Sequence, residues 1–385
     1  MKILYITTIG VTMGFFESFI KEQLDIGNQI DIATNENNGK DAVPNCYREW
    51  GCHVYHIDTS RSAVSMGNIR AIKQIREIVI DNRYDIVHCH TPLAAVVTRI
   101  ACKNLRRKGV KIIYTAHGFH FFRGAPLKNW LLFYPIERGL SWFTDTLITI
   151  NIEDYQRAKK SFHAINIVYV PGVGVDNHIY TDEGCSLTIK KNLRERILPI
   201  CCSLDNIVLL SVGELNDNKN HHVVIETLGK INNPNIYYFI AGVGEQKELL
   251  ENLIEKQGLS KQIHLLGYRD DIDDLMRLSD VYVLPSKREG LNVSLMEAMS
   301  SGLPCVVSNI RGNSDLIEMD KGGYLIEPND NEGWENAIKK MCSLPDERER
   351  FGKNNKLKIK NFSKEKVQKM MTDIYSKTLS ADNVL

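Results

Sequence analysis

Two glutamates eight positions apart, Glu289 and Glu297, stand in the stretch "PSKREGLNVSLMEAMSSGLPCVVS" (285–308). The apolar run "VYVLPS" reads as a strand, which puts Glu289 just past its carboxyl end. Asn292 can cap the helix that follows, and Gly302 can close it. The backbone N–H groups of Gly290, Leu291, Asn292 and Val293 then form a helix N-terminus, a natural seat for a phosphate. Glu297 falls about one and a half turns further along the same axis. A sugar joined through phosphate to a ribose would suit that layout, with one acid for each ring and the helix end between them. Taken alone, Glu297 also fits an ordinary solvated helix face.

Two more residues could take part. Lys219, in "SVGELNDNKNH" (211–221), could neutralise a departing diphosphate, although in isolation a loop lysine is more often only solvated. His117, in "YTAHGFH", ends another strand at a sheet edge, and His120 follows it. In "TTIGVTMGFF", expected as a loop after the first strand, Gly10 and Gly14 would let backbone approach a diphosphate. "AGVGEQ" contributes Gly242 and Gly244 at a strand-to-helix turn. Neither stretch has G-x-G-x-x-G spacing with an acid at the expected distance, which argues against a dinucleotide cofactor. The aspartates of "RDDIDDLM" read as a helix start and not a metal site. Asp270 or Asp271 would be the cap, with Asp273 and Asp274 in the first turn. No metal and no cofactor is expected.

The elements that must position these residues alternate along the chain. Short β-branched runs such as "KILYIT", "DIVHCH" and "KIIYTAHG" are separated by segments with helical spacing of apolar residues. The runs lack strict alternation, so they predict strands buried on both faces of parallel, doubly wound sheets. The Gly- and Pro-rich stretch "PGVGVDNHIYTDEG" (171–184) marks a boundary. Two Rossmann-like domains are expected, 1–175 and 176–362, with a ligand cleft between their carboxyl edges. A final helix, 363–385, is expected to pack back on the first domain.

Composition bounds the rest. The chain has 385 residues, 43% hydrophobic and 25% charged, with a net charge of +1. That length suits two domains, and so small a net charge provides no field for nucleic acid. Nine cysteines without metal-ligand spacing read as reduced thiols of a cytoplasmic protein. No apolar run is long enough to span a bilayer.

The pattern "PSxxEGLxxxxMEAMxxGLPVV", together with "SVGxLxxxKNH" and "AGxGE…LLGYRDDIDDLM…SDVYVLPS", resembles the family 4 retaining glycosyltransferases of the GT-B fold. "HCHTPLAAVVTRIA", "YTAHGFHFFRGAPLKNWLLFYPIERGLS" and "YVPGVGVD" resemble a subgroup that builds capsule, exopolysaccharide and O-antigen. The resemblance spans nearly the whole chain. It implies that Glu289 binds the donor sugar near its anomeric carbon, with His117 beside it, and that Glu297 holds the ribose. It also implies that Lys219 meets the diphosphate, that Gly213, Gly242 and Gly244 lie near the nucleotide, and that Tyr268 and Arg269 flank the base. One position departs from the family: Glu214 follows Gly213 where most members carry an arginine. Arg288 is the candidate replacement cation, ahead of Arg269 and Lys287.

The resemblance implies transfer, with retention, from a nucleotide-diphosphate sugar, taken as UDP-linked, to a saccharide on a lipid pyrophosphate. Arg106, Arg107, Lys108, Arg123 and Lys128 lie close in sequence to Trp and Phe, a mixture that suits the inner membrane face. It equally suits a basic helix end beside a core helix. Two rivals stand beside this reading: a UDP-sugar 2-epimerase on the same fold, and a non-catalytic scaffold of a polysaccharide assembly complex.

Overall fold

In the computed structural model, residues 1–62, 64–180, 187–198 and 203–380 are described. Residue contacts divide the chain into two compact units, Met1–Val173 with Val367–Leu385, and Gly174–Lys366.

The first unit is built on seven strands: β1 (Lys2–Ile6), β2 (Gln29–Thr34), β3 (Val54–His56), β4 (Ile86–His90), β5 (Lys111–Ala116), β6 (Thr146–Thr149) and β7 (Asn166–Tyr169). Their order is β3-β2-β1-β4-β5-β6-β7, and all neighbouring strands run parallel. Every residue of β4 and β5 is buried, which is why these runs do not alternate between apolar and polar residues. One core packs Val87, Ile112 and Leu147 beneath the helices Gly67–Asn82 and Pro92–Cys102. The other packs Ile3, Ile32 and Ile113 against Val367, Met371 and Tyr375 of the helix Lys364–Ser380.

Tyr375 does more than fill space in this second core. Its hydroxyl bonds to that of Tyr5 on β1 and, at 2.7 Å, to Nδ1 of His88 on β4. His88 Nε2 in turn meets Thr115 Oγ1 on β5 at 2.8 Å. A fully satisfied buried polar chain of this kind selects one docking of the C-terminal helix.

The second unit has six parallel strands: β8 (Ile207–Val212), β9 (Ile236–Ala241), β10 (Ile263–Gly267), β11 (Val281–Leu284), β12 (Cys305–Ser308) and β13 (Gly323–Ile326). Their order is β10-β9-β8-β11-β12-β13. The direction of winding reverses between β1 and β4 in one sheet and between β8 and β11 in the other. In open α/β sheets, ligands bind beyond the carboxyl ends of the strands at such reversals.

Local structure differs from expectation in two places. The stretch after β1 is a 3-10 helix, Gly10–Phe16, and not an open loop. Asp271 takes the N-cap position of the helix Ile272–Leu278, but its side chain does not cap that helix. Arg269 claims its carboxylate instead.

Tyr375→Phe removes one hydroxyl and strands two buried partners, which should lower the stability of the first unit by about 1–3 kcal/mol. Urea unfolding followed by histidine and tyrosine NMR signals checks this. An unchanged midpoint would mean the hydroxyl chain does not hold the helix.

Candidate functional site

The winding reversal of the second unit carries an ion pair. Lys219 Nζ lies 2.7 Å from Glu289 Oε1, and their side chains are only 15% and 12% exposed. The loops that bring them together are tied to each other. Lys287 N donates to Asn218 O at 2.7 Å, and Asn218 Nδ2 donates to Arg288 O at 2.9 Å. Lys219 N is held by Asn216 Oδ1 at 3.0 Å. Gly213 leaves room for the lysine stem, since a Cβ there would come within 2.9 Å of Lys219 Cε.

The helix Val293–Ser300 begins four residues after Glu289. Asn292 caps it, accepting from Leu295 N at 2.9 Å, and Ser294 Oγ steadies the cap oxygen at 2.8 Å. Apart from Leu295 N, which the cap takes, the first-turn N–H groups have no acceptor within the helix, so an anion donor set lies beside an ammonium and a carboxylate. Leu291 is buried and Gly290 half-buried. Glu297 is turned to Tyr180, whose hydroxyl it accepts, and burial raises its carboxyl above the usual range.

The other expected cations are placed unequally. Arg269 is bound to Asp271, and Lys287 pairs with Asp217 at 2.6 Å. Arg288 is exposed, and no ion pair of its side chain occurs among the described residues. Glu214 does not join Lys219; it is exposed and accepts from Asn216 Nδ2 at 2.8 Å. Tyr268 is 81% exposed past the end of β10. Gly242 and Gly244 have a packing reason to be glycine: a Cβ would fall 1.8 Å from Gly213 O and 2.3 Å from Leu215 O respectively.

In the first unit, His117 follows β5 and its Nε2 lies 3.1 Å from Nδ1 of His90, the last residue of β4. Burial holds the His117 ring at a pKa of about 4, His88 at about 3, and His90 well below the usual value. Next to His90, Thr91 has φ +66, an outlier for a β-branched residue. Its hydroxyl bonds Thr8 Oγ1 at 2.7 Å, beyond β1. Gly10 is boxed in, with Asp41 O 2.4 Å from where its Cβ would be, whereas Gly14 is exposed and its Cβ would meet nothing nearer than 3.9 Å. His120 lines a separate cavity of about 590 Å³ with Leu93, Val96, Phe121, Leu132 and Ile136.

The basic-aromatic stretch is rearranged by the fold. Arg106 is taken up by Asp145 at 2.8 Å and by Trp142 O at 2.7 Å, and Phe121 is buried. The exposed apolar surface is instead a ridge of Leu127, Leu131, Leu132 and Ile136 on the helix Leu127–Leu140, with Trp142 just beyond. Arg107, Lys108, Arg123 and Lys128 remain exposed. Among the described residues no helix is long and apolar enough to cross a membrane, and no cluster of metal-ligating residues occurs.

Residue-by-residue reading overlooked three groups. Arg311, buried, donates through Nε to Glu289 O at 3.2 Å; Tyr180 reaches Glu297; His90 holds His117. Of these, only His90 carries a signal in sequence, since His88 and His90 share one face of a strand.

The family model described as "Glycosyl transferase 4-like" matches residues 2–151, and "Glycosyl transferases group 1" matches 203–358. "Putative glycosyltransferase EpsD" of Bacillus subtilis (strain 168) is 33% identical over 99% of this chain and 98% of its own. An Escherichia coli "UDP-Gal:alpha-D-GlcNAc-diphosphoundecaprenol alpha-1,3-galactosyltransferase" is 33% identical over 70% of this chain and 71% of its own. The fold matches Anabaena Alr3699/HepE solved in complex with UDP, at TM-score 0.80 and 19% identity over 98% and 100% of the two chains. It also matches Thermosynechococcus elongatus sucrose-phosphate synthase, at TM-score 0.81 and 16% identity over 99% of each chain.

Histidines kept neutral in the fold destabilise it in acid. Below the unfolded pKa of about 6.5 the unfolded chain binds protons that the fold refuses, so stability falls as pH drops toward 3–4. His88 alone should remove about 2 kcal/mol between pH 7 and pH 5. Urea midpoints at the two pH values test this: the loss should be smaller in His88→Gln than in the wild type, and an equal loss would contradict it.

Proposed function

The chain belongs to the glycosyltransferases whose halves are described as glycosyl transferase 4-like and glycosyl transferases group 1, and from that premise we propose that it moves a sugar, with retention, from a UDP-linked donor to a saccharide on a lipid diphosphate. The observation that carries this reading is the Lys219–Glu289 pair beside the free amide end of Val293–Ser300. As the bond from the anomeric carbon to the phosphate oxygen breaks, negative charge collects on the diphosphate. The ammonium and the first-turn N–H groups are already oriented to receive it. Glu289 is left to bind the sugar and balance the positive charge at its anomeric carbon. The acceptor hydroxyl attacks from the face the diphosphate leaves, a new carbon–oxygen bond forms, and the hydroxyl proton passes to a phosphate oxygen.

The remaining assignments follow from this one. Glu297, turned to Tyr180, takes the ribose hydroxyls; Tyr268 and Arg269 flank the base; Arg288 supplies the second positive charge that Glu214 does not. His117 lies at the sugar. No metal is required. The UDP donor and the lipid-linked acceptor are supported by what the Anabaena structure contains and what the Escherichia coli relative is named for. The exposed leucine ridge with Arg123 and Lys128 suits a peripheral seat on the anionic inner face of the cytoplasmic membrane.

A panel of UDP- and GDP-sugars in thermal-shift measurements identifies the donor, because a bound ligand raises the unfolding temperature by mass action. With that donor and GlcNAc-diphosphoundecaprenol or a related lipid-linked saccharide, Glu289→Gln should lower kcat at least about 100-fold with the fold intact. Wild-type turnover in that variant would remove Glu289 from the mechanism. Isomerisation of UDP-GlcNAc without any acceptor would replace transfer by epimerisation. Leu131→Asp with Leu132→Asp should reduce cosedimentation with vesicles containing anionic lipid about tenfold. Unchanged cosedimentation would rule the ridge out as the membrane contact.

A further inference from the structure

The histidine pair of the first unit is more constrained than a reaction-site histidine needs to be for binding alone. His90 is 2% exposed and its ring is held on several sides. Tyr5 stacks on it at 5.4 Å and 15°, Phe16 lies at 4.3 Å, and His88 at 4.1 Å. His88 is itself fixed at both nitrogens by Tyr375 and Thr115. The ring of His90 therefore has one orientation, with Nδ1 3.1 Å from His117 Nε2 and with Nε2 buried and without a partner among the described residues.

We infer that His90 is a positioning residue that fixes the tautomer of His117, making His117 Nδ1 a permanent N–H donor toward a bound ligand. This rests on the reading of His117 as a residue at the donor sugar. Both rings stay neutral at physiological pH because burial disfavours the charged forms. A single proton therefore lies between the two facing nitrogens. If His117 Nε2 carried it, His90 would hold its own single ring proton on Nε2, a buried N–H with no acceptor among the described residues. If His90 Nδ1 carries it, the orphan is a bare lone pair instead. Orphaned buried N–H groups are the rarer of the two defects in folded proteins, so His90 donates and His117 accepts at Nε2. The proton of His117 then sits on Nδ1, which makes no hydrogen bond among the described residues, on a ring that is half-buried. His117 offers a sugar hydroxyl or a departing oxygen a fixed hydrogen bond, and does not shuttle protons.

The nitrogen shifts of 15N-histidine in the full-length chain test this without any ligand, with His117→Gln assigning the signals. Wild type should show His117 protonated at Nδ1 and bare at Nε2. In His90→Leu the Nε2-protonated form should rise at least fivefold, toward the form preferred by free imidazole. His90→Asn, whose amide N–H can replace Nδ1–H, should restore the wild-type pattern. A wild-type His117 protonated at Nε2, or a pattern unmoved in His90→Leu, overturns the inference. If His90→Leu does not fold, the wild type and His90→Asn decide between the same two outcomes. With the UDP-sugar identified by the panel above, His90→Leu should lower kcat about tenfold, with His90→Asn recovering most of the loss. Shifts that behave as described while kcat stays unchanged would strike the placement of His117 at the sugar and the donor role with it, leaving only the fixed tautomer.

Discussion

An ammonium and a carboxylate held 2.7 Å apart and largely out of water are a costly arrangement unless further bonds complete them, because each ion gives up most of its hydration. Around Lys219 and Glu289 the bonds in place fix the backbone on either side of the pair, through loops that lock one another. Asn216 holds the lysine backbone, Asn218 spans to Lys287 and Arg288, and Arg311 grips the carbonyl of Glu289. Gly242 and Gly244 let the loop backbones pass at distances a Cβ would forbid, and Gly213 leaves room for the lysine stem. Much of the carboxyl edge of this sheet is organised to keep two opposite charges in place while leaving a helix N-terminus free.

The first unit solves a related problem with neutral groups. His88, Thr115, Tyr5 and Tyr375 satisfy one another in the interior, and His90 passes that rigidity on to His117. A positive φ at Thr91, steadied by Thr8, adds local strain at the same strand ends. Strain and buried polar chains are both expensive, and they gather at the winding reversal, where an open α/β sheet places its ligands.

Both sheets and their winding could be read directly, because strands buried on both faces leave continuous apolar runs and their crossovers leave helical spacing. The Asn292 cap was legible for the same local reason. The basic-aromatic stretch was less so: charge and aromaticity are visible in sequence, but whether Arg106 finds Asp145, or Phe121 turns inward, depends on elements far away in the chain. The exposed leucines of the helix Leu127–Leu140, which residue type alone would assign to a core, form the apolar surface there.

What the sequence by itself determined is the class of fold and the family, since periodicity and motif spacing are local properties that survive without coordinates. It also presented the two glutamates, the lysine and the histidine as a set. Which of them are partnered was a tertiary decision. Lys219 goes to Glu289 and not to Glu214, Arg269 is spent on Asp271, Tyr180 reaches Glu297, and His90 orients His117. These pairings join residues from 2 to more than 100 positions apart. Charge and hydrogen-bond energies depend on distances of a few ångströms, and only the folded chain sets those distances.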